Sequence, residues 1–320
     1  MKRWASITIT LVAVLAVLAG CAKEPEHVKI GYLPTPADIL FFVAIKEGCF
    51  KKQALEVTPV KFGTANEAMN ALVRGEVDLL AHIGFTTIFA LEQKTPGLLR
   101  IFLPAGEGEG HVVSQIIVRK DAGIESVDDL KGRKIGCSHG ITNLKWLGLM
   151  LKKMGFDPQK DVTIVQVGRS MLIQGLARHE YDALYAMEPR TTKAIEQGIG
   201  ISLLDNPRSK YIMDPFLSGS LVMPAKLVKE EPEKAKRIYV AFERASRFLR
   251  KNPDKAKELL PKYTGLSYRL LQRIHVQAIY EPTDEIIDLI QKEADLLHEF
   301  RLLLGKVDVK PMILTRNHLR

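Results

Sequence analysis

ALVRGEVDLLAHIGFTTIFALEQ, residues 71–93, and GLARHEYDALYAMEPRTTKAIEQ, residues 175–197, align without a gap at an offset of 104. Leu72, Arg74, Glu76, Asp78 and Leu80 match Leu176, Arg178, Glu180, Asp182 and Leu184. Thr87, Ala90, Glu92 and Gln93 match Thr191, Ala194, Glu196 and Gln197. Each stretch reads as a helix end, a turn, a short strand and a second helix. A period this long is not that of a solenoid. One structural unit used twice points to two similar lobes.

The same alternation extends outward from both copies. His27–Tyr32, Leu55–Phe62, Val77–Ala81 and Leu98–Leu103 read as strands. Between them, Thr35-Pro36-Ala37-Asp38 opens a helix with a hydroxyl at the cap and proline at the first turn. Thr64-Ala65-Asn66-Glu67 has capping-box spacing. In the second half, strands are expected at 134–137, 162–167, 182–186 and 201–204, and helices at 142–154, 170–179 and 190–197. Strands alternating with helices predict parallel sheets with helical crossovers, an α/β fold. Pro104 to Gly110 reads as flexible, and Val112–Arg119 and Ser218–Met223 as strands crossing between lobes. Four helices are expected after Pro224, over 233–251, 254–263, 267–279 and 283–304, packed on the first lobe. The expected division is 27–117 with 219–305 for lobe 1 and 118–218 for lobe 2. Residues 306–320 read as a solvated basic tail.

The N-terminus has a different character. Lys2 and Arg3 precede an apolar run, Leu11–Ala19, too short to span a bilayer comfortably. Leu18-Ala19-Gly20-Cys21 follows. A charged start, a brief apolar stretch and small residues describe an export signal that is removed, here residues 1–20. Cys21 in that setting resembles a bacterial lipobox, which implies diacylglycerol on its sulfur and a membrane anchor joined through a linker, 21–26. Without Lys2 and Arg3 the formal charge falls from +9 to +7, since residues 1–20 hold no acid. This excess is spread along the chain, so nucleic acid is not indicated as a partner. Cys49 and Cys137 read as separate thiols, and no Cys/His cluster has zinc spacing.

KIGYLPTPADILFFVAIKEGCFKKQALEV, FGTANEAMNALVRGEVDLL, SVDDLKGRKIGCSHGITN and YDALYAMEP, in that order and spacing, resemble the periplasmic solute-binding proteins of ABC transporters, in the nitrate, sulfonate, taurine and thiamine-precursor group. That resemblance implies a two-lobed type II clamshell with the ligand between the lobes. It also implies an extracytoplasmic protein that delivers a small polar molecule to a permease and its ATPase. No cofactor, metal or catalytic residue is expected. The rival class is an enzyme of the same fold, a pyrimidine-precursor synthase or a menaquinone-pathway lyase; a sensor subunit is a third.

In open α/β sheets ligands bind beyond the carboxyl ends of the strands. Helix starts there expose free N–H groups. On that ground the candidate ligand-binding residues are Asp38, Thr64, Asn66 and Gly84 in lobe 1, and Gly140, Thr142, Asn143 and Glu188 in lobe 2. Thr64 and Thr142 serve equally well as caps, and Asp38 equally well in capping. Glu188 corresponds to Gly84 in the repeat and suits either a ligand that donates hydrogen bonds or a contact between lobes. In the group's Gly-Ser-Thr tract this chain has Ile141, which removes one hydroxyl. Tyr32, Tyr185, His82 and His139 are further residues near the cleft.

Overall fold

The computed structural model describes residues 24–319, so the expected export signal and Cys21 lie outside the described residues. Two sheets form the framework. In the first, β1 (Glu26–Tyr32) pairs in parallel with β2 (Leu55–Lys61) and β3 (Leu79–Gly84). β4 (Leu99–Glu107) completes this lobe's run of strands. In the second sheet, β6 (Lys134–Ser138) pairs in parallel with β7 (Thr163–Val167) and β8 (Ala183–Met187). β9 (Gly200–Asp205) lies at its far edge.

One antiparallel strand is inserted into each sheet by the chain as it changes lobe. β5 (Ser114–Arg119) lies between β8 and β9, and β10 (Phe216–Pro224) between β3 and β4. The orders β2-β1-β3-β10-β4 and β7-β6-β8-β5-β9 are therefore the same topology. A short β11 (Ala278–Ile279) adds to β4. This is the α/β two-lobed architecture that the repeat implies.

The repeat has an atomic counterpart. Asp78 accepts from the Lys29 amide at 2.7 Å, and its own amide donates to the Lys29 carbonyl at 2.8 Å. Asp182, 104 residues on, does the same with Lys134, at 3.0 and 2.9 Å. Each carboxylate's second oxygen meets a cation, Lys234 at 3.5 Å and Arg119 at 3.4 Å. Each aspartate thus fixes the register of the central parallel pair.

Helices cover the sheets. α1 (Ile39–Lys46) is apolar on every side, because Phe41, Phe42 and Val43 are buried among the first sheet and a long C-terminal helix. α2 (Ala65–Val73) and α3 (Phe85–Lys94) complete lobe 1's crossovers. Lobe 2 carries α4 (Ile141–Lys153), α5 (Leu172–Ala177), α6 (Arg190–Glu196) and α7 (Pro207–Tyr211). After β10 come α8 (Ala225–Glu230) and α9 (Pro232–Lys251). Three short helices follow, α10 (Pro253–Lys257), α11 (Leu260–Thr264) and α12 (Tyr268–Leu271), then α13 (Asp284–Glu299).

Four boundaries differ from the sequence reading. β5 is fully paired within the second sheet from Ser114, so the lobe change falls at 108–113 and 206–215 rather than near Val118 and Ser218. Ser114 and Gln115 are buried polar residues, which composition alone assigns to a surface. β4 runs on through Pro104 to the fully buried Glu107, where a flexible stretch was expected. The expected helices over 254–263 and 267–279 are broken into short pieces, with Pro261 opening one and β11 ending the set. The tail is not solvated: Val307, Val309, Met312, Ile313, Leu314 and Leu319 are buried, and the Leu314 amide donates to the Ile101 carbonyl at 2.9 Å. Its apolar residues alternate with lysines and arginines that mask them in a count of charge.

Candidate functional site

The carboxyl ends of the parallel strands carry the expected residues as two sets. Asp38, Thr64, Asn66 and Gly84 follow β1, β2 and β3, while Gly140, Thr142, Asn143 and Glu188 follow β6 and β8.

The two sets are electrostatically different. In lobe 1 the start of α2 is closed. Thr64 Oγ1 accepts from the Glu67 amide at 3.2 Å, and Glu67 Oε2 accepts from the amides of Gly63 and Thr64, both at 3.1 Å. A carboxylate of the chain itself fills the place an anion would take. Asn66 is exposed on the first turn. Gly84 caps α3, with the Ser218 carbonyl 3.6 Å from where a Cβ would lie. Asp38 is 1% exposed; its Oδ2 accepts from Thr35 Oγ1 at 3.1 Å and its Oδ1 has no partner. Burial holds its pKa well above the ordinary carboxylate value, only partly countered by the Thr35 bond. Tyr32 packs on Phe41 and Phe42, with ring centroids 5.6 Å apart in each case. His82 stays neutral, its pKa pushed down to about 4 by desolvation.

In lobe 2 the start of α4 is open. Gly140 has φ +126°, a conformation side-chain-bearing residues rarely adopt, and no side chain caps the helix. Asn143 Nδ2 is turned to Ser138 Oγ at 2.8 Å, and Thr142 is half-buried beside it. The first N–H groups of a 13-residue helix therefore face outward with the positive end of its dipole.

Two arginines that sequence reasoning missed flank this opening. Arg169 follows β7 and Arg190 follows β8, with β6 between those strands. Arg190 Nε donates to the Arg169 carbonyl at 3.3 Å, so its side chain reaches over the end of β6. Neither guanidinium forms an ion pair among the described residues. Burial, and after it the charge of Arg169, lowers the Arg190 pKa. In sequence both sit in ordinary surface contexts; the signal was their position two and three residues past strand ends.

Glu188 faces the lobe boundary. Thr192 donates to its Oε1 from Oγ1 at 2.6 Å and to its Oε2 from the amide at 3.3 Å. The His275 amide of lobe 1 donates to Oε1 at 3.4 Å. Desolvation raises its pKa, against the opposing bonds from Thr192 and His275. Nearby, Arg273 lies 3.2 Å from Glu196, a second contact across the lobes. On the far flank, Trp146 of α4 packs edge-on against Phe216 and Phe300, at 5.2 and 5.1 Å.

Beneath these contacts lies a buried ion cluster at the lobe change. Arg208 donates to both oxygens of Glu107, from Nε at 3.1 Å and Nη2 at 2.8 Å. Ser114 adds its amide and hydroxyl to the same carboxylate at 2.8 and 2.7 Å. Tyr185 is buried close by with its hydroxyl unpartnered. No group of three or more His, Cys, Asp or Glu among the described residues could hold a metal ion.

The comparisons with known proteins agree with this fold. An aliphatic sulfonates-binding protein of Bacillus subtilis is 24% identical, over 95% of this chain and 93% of its own. The periplasmic aliphatic sulphonate binding protein of Escherichia coli superposes with a TM-score of 0.74 at 20% identity, over 91% of this chain and 92% of that one. A desulfurization enzyme shares the fold at a TM-score of 0.66 and 16% identity, over 92% and 97%. The model of the NMT1-like family matches residues 21–261, and the chain belongs to that family.

Proposed function

We propose that this protein is an extracytoplasmic, lipid-anchored solute-binding protein that captures a small sulfonate-type anion between its lobes. It then delivers the anion to an ABC permease and its ATPase. The observation that carries the ligand class is the unpaired positive cradle of lobe 2: the open start of α4 at Gly140, bracketed by Arg169 and Arg190. Charge-assisted bonds of this kind are the strong ones. Thr142, Asn143, Asn66 and Gly84 line the remaining approach, while Asp38 is buried away from it and its pKa is raised by that burial. Glu188 serves the contact with lobe 1 at His275. Names of relatives that bind sulfonates support the same class.

Capture is favoured over turnover. Cys49 and Cys137 are buried, and burial pushes their thiols up, that of Cys137 to about 11. Both are poor nucleophiles in that setting.

The test is mass spectrometry of ligand released from gently purified protein, followed by calorimetry with that ligand and with a sulfonate panel. Arg190→Gln is expected to weaken anion binding about ten- to a hundredfold, the effect of losing a charge-assisted bond. A released ligand without an anionic group, bound equally by this variant, refutes the reading. For the anchor, labelled fatty acid should appear on the wild type and not on Cys21→Ser.

A further inference from the structure

The outward side of α9 is a cationic face far from the cradle. Lys236, Arg237, Arg244, Arg247 and Lys251 are exposed or half-buried and recur on one side of the helix. The opposite side, with Ala235, Ile238, Phe242 and Leu249, is buried in the lobe 1 core. From Lys236 to Lys251 the face runs along about 22 Å of helix. Val240 and Phe248 lie half-buried between the cations, and Lys255 Nζ is 5.6 Å from the centre of the Phe248 ring. Arg237 donates to the carbonyls of Gln53 and Ala54, both at 3.3 Å. That contact sets the exposed Lys51 and Lys52 beside the helix.

The neighbouring acids sit at the borders of this face or beneath it. Glu233 precedes it in the first turn of α9, Glu47 follows the end of α1, and Glu56 of β2 lies 3.5 Å from His27. Glu243 is buried under Arg247 and Arg316, each 3.3 Å away. Past the far end, Asp254 pairs with Lys257 at 3.3 Å. Lys51, Lys236, Arg244 and Lys251 form no ion pair among the described residues. The chain also enters here. Glu26, at the start of β1, is held by Arg237 and by Lys234, the latter at 3.8 Å. Cys21 stands five residues earlier, within about 18 Å of Glu26 at full extension.

We propose that this face of α9, with Lys51 and Lys52, docks on an anionic phospholipid surface, the one to which Cys21 ties the chain. The proposal rests on the lipid-anchor reading of Cys21. Lysine and arginine are attracted to an anionic bilayer within a Debye length of it. A tether this short keeps the bilayer at a high effective concentration beside the face, so individually weak contacts add up. The apolar stems of the cations, with Val240 and Phe248 between them, suit the headgroup region. A second copy of the chain is a poor occupant, because two such faces repel each other. No cradle residue belongs to the contact, so docking through lobe 1 does not compete with ligand.

The test is cosedimentation of the mature Cys21→Ser protein with vesicles of phosphatidylglycerol or of phosphatidylcholine, at low and high salt. Without the lipid, only the face can hold the protein to the vesicle. Binding is expected to phosphatidylglycerol alone and to weaken with salt. Each cation removed should cost about fivefold in affinity, so Lys51→Gln, Arg244→Gln and Lys251→Gln together should lose about a hundredfold. Lys120→Gln, Lys153→Gln and Arg178→Gln together remove the same charge from exposed positions of lobe 2 and should bind as before. Equal loss in both triple variants overturns the proposal, since net charge alone then explains the binding. Labelled fatty acid on the wild type, with no binding of Cys21→Ser to phosphatidylglycerol, overturns the docking and leaves the anchor standing. Absence of label on the wild type overturns both. Binding through Lys51, Arg244 and Lys251 to the solubilised permease complex, and not to vesicles, also overturns the proposal, since a protein then covers the face.

Discussion

Glu107→Gln is the sharpest probe of how the two lobes are joined. Glu107 is fully buried at the end of β4, and Ser114, its partner, begins β5. Arg208, its other partner, lies on the return path toward β10. One carboxylate therefore ties together both segments in which the chain changes lobe. Glutamine keeps the shape and an oxygen for Ser114, but leaves the Arg208 guanidinium, 6% exposed, without its counter-charge. Breaking a buried pair in this way costs about 3–5 kcal/mol. The stacking of Arg208 over the Phe216 ring, 4.5 Å from its centroid, is already present in the wild type and so does not offset that loss. Urea unfolding of the wild type, Glu107→Gln, Arg208→Met and the double variant measures the loss and the coupling. The double variant should lose less than the sum of the singles, because it removes the orphaned charge. A loss below about 1 kcal/mol for Glu107→Gln, the value of a surface pair, refutes the reasoning.

Three further outcomes follow from named groups. Trp146 is the one tryptophan in residues 21–320 and bridges the lobes through Phe216 and Phe300, so ligand-induced closure should shift its fluorescence; an unchanged spectrum at saturation counts against lobe motion on that flank. Glu293 is buried on α13 with an unpartnered oxygen, and desolvation raises its pKa from 4.5 to about 8, against the lowering charge of Arg208. The folded state holds this proton longer than the unfolded one, so its contribution is full below about pH 4.5 and is lost as pH rises to about 8. Glu293→Gln should therefore gain on the wild type across that window, on the order of 4 kcal/mol at its alkaline end, and parallel stability curves would disprove it. Gly136→Ala should destabilise by about 1–3 kcal/mol through overpacking, because its Cβ would come within 2.5 Å of the buried Tyr181 ring; an unshifted denaturation midpoint would show that the ring yields.

Much of the fold was legible because two local signals agree with its global plan. Asp78 and Asp182 stand at strand starts in both copies of the repeat, and in both they clamp a neighbouring parallel strand. Their spacing could be read from sequence because the clamp needs one carboxylate at one register position. The lobe change was misplaced because Ser114, Gln115, Glu107 and Arg208 are polar residues that satisfy one another or nearby groups inside the protein. A residue-by-residue polarity reading assigns each to solvent, and only the pairing reverses that.

The site divides along the same line. Helix starts were legible as positions, but their availability depends on what the chain does with its own carboxylates. At α2 the Glu67 side chain turns back onto Gly63 and Thr64 and spends the donors internally. At α4 the third helical position holds Asn143 instead, whose amide is drawn to Ser138, and Gly140 has no side chain to offer. A capping-box residue is thus a local reason why one helix start is closed, and its absence at the matching start of the other lobe leaves that one free. Arg169 and Arg190 were invisible for a different reason: they lie 21 residues apart and meet only because β7 and β8 flank β6. The charge asymmetry between the lobes therefore belongs to strand order, while the open helix start belongs to local sequence, and an anion in the cradle requires both.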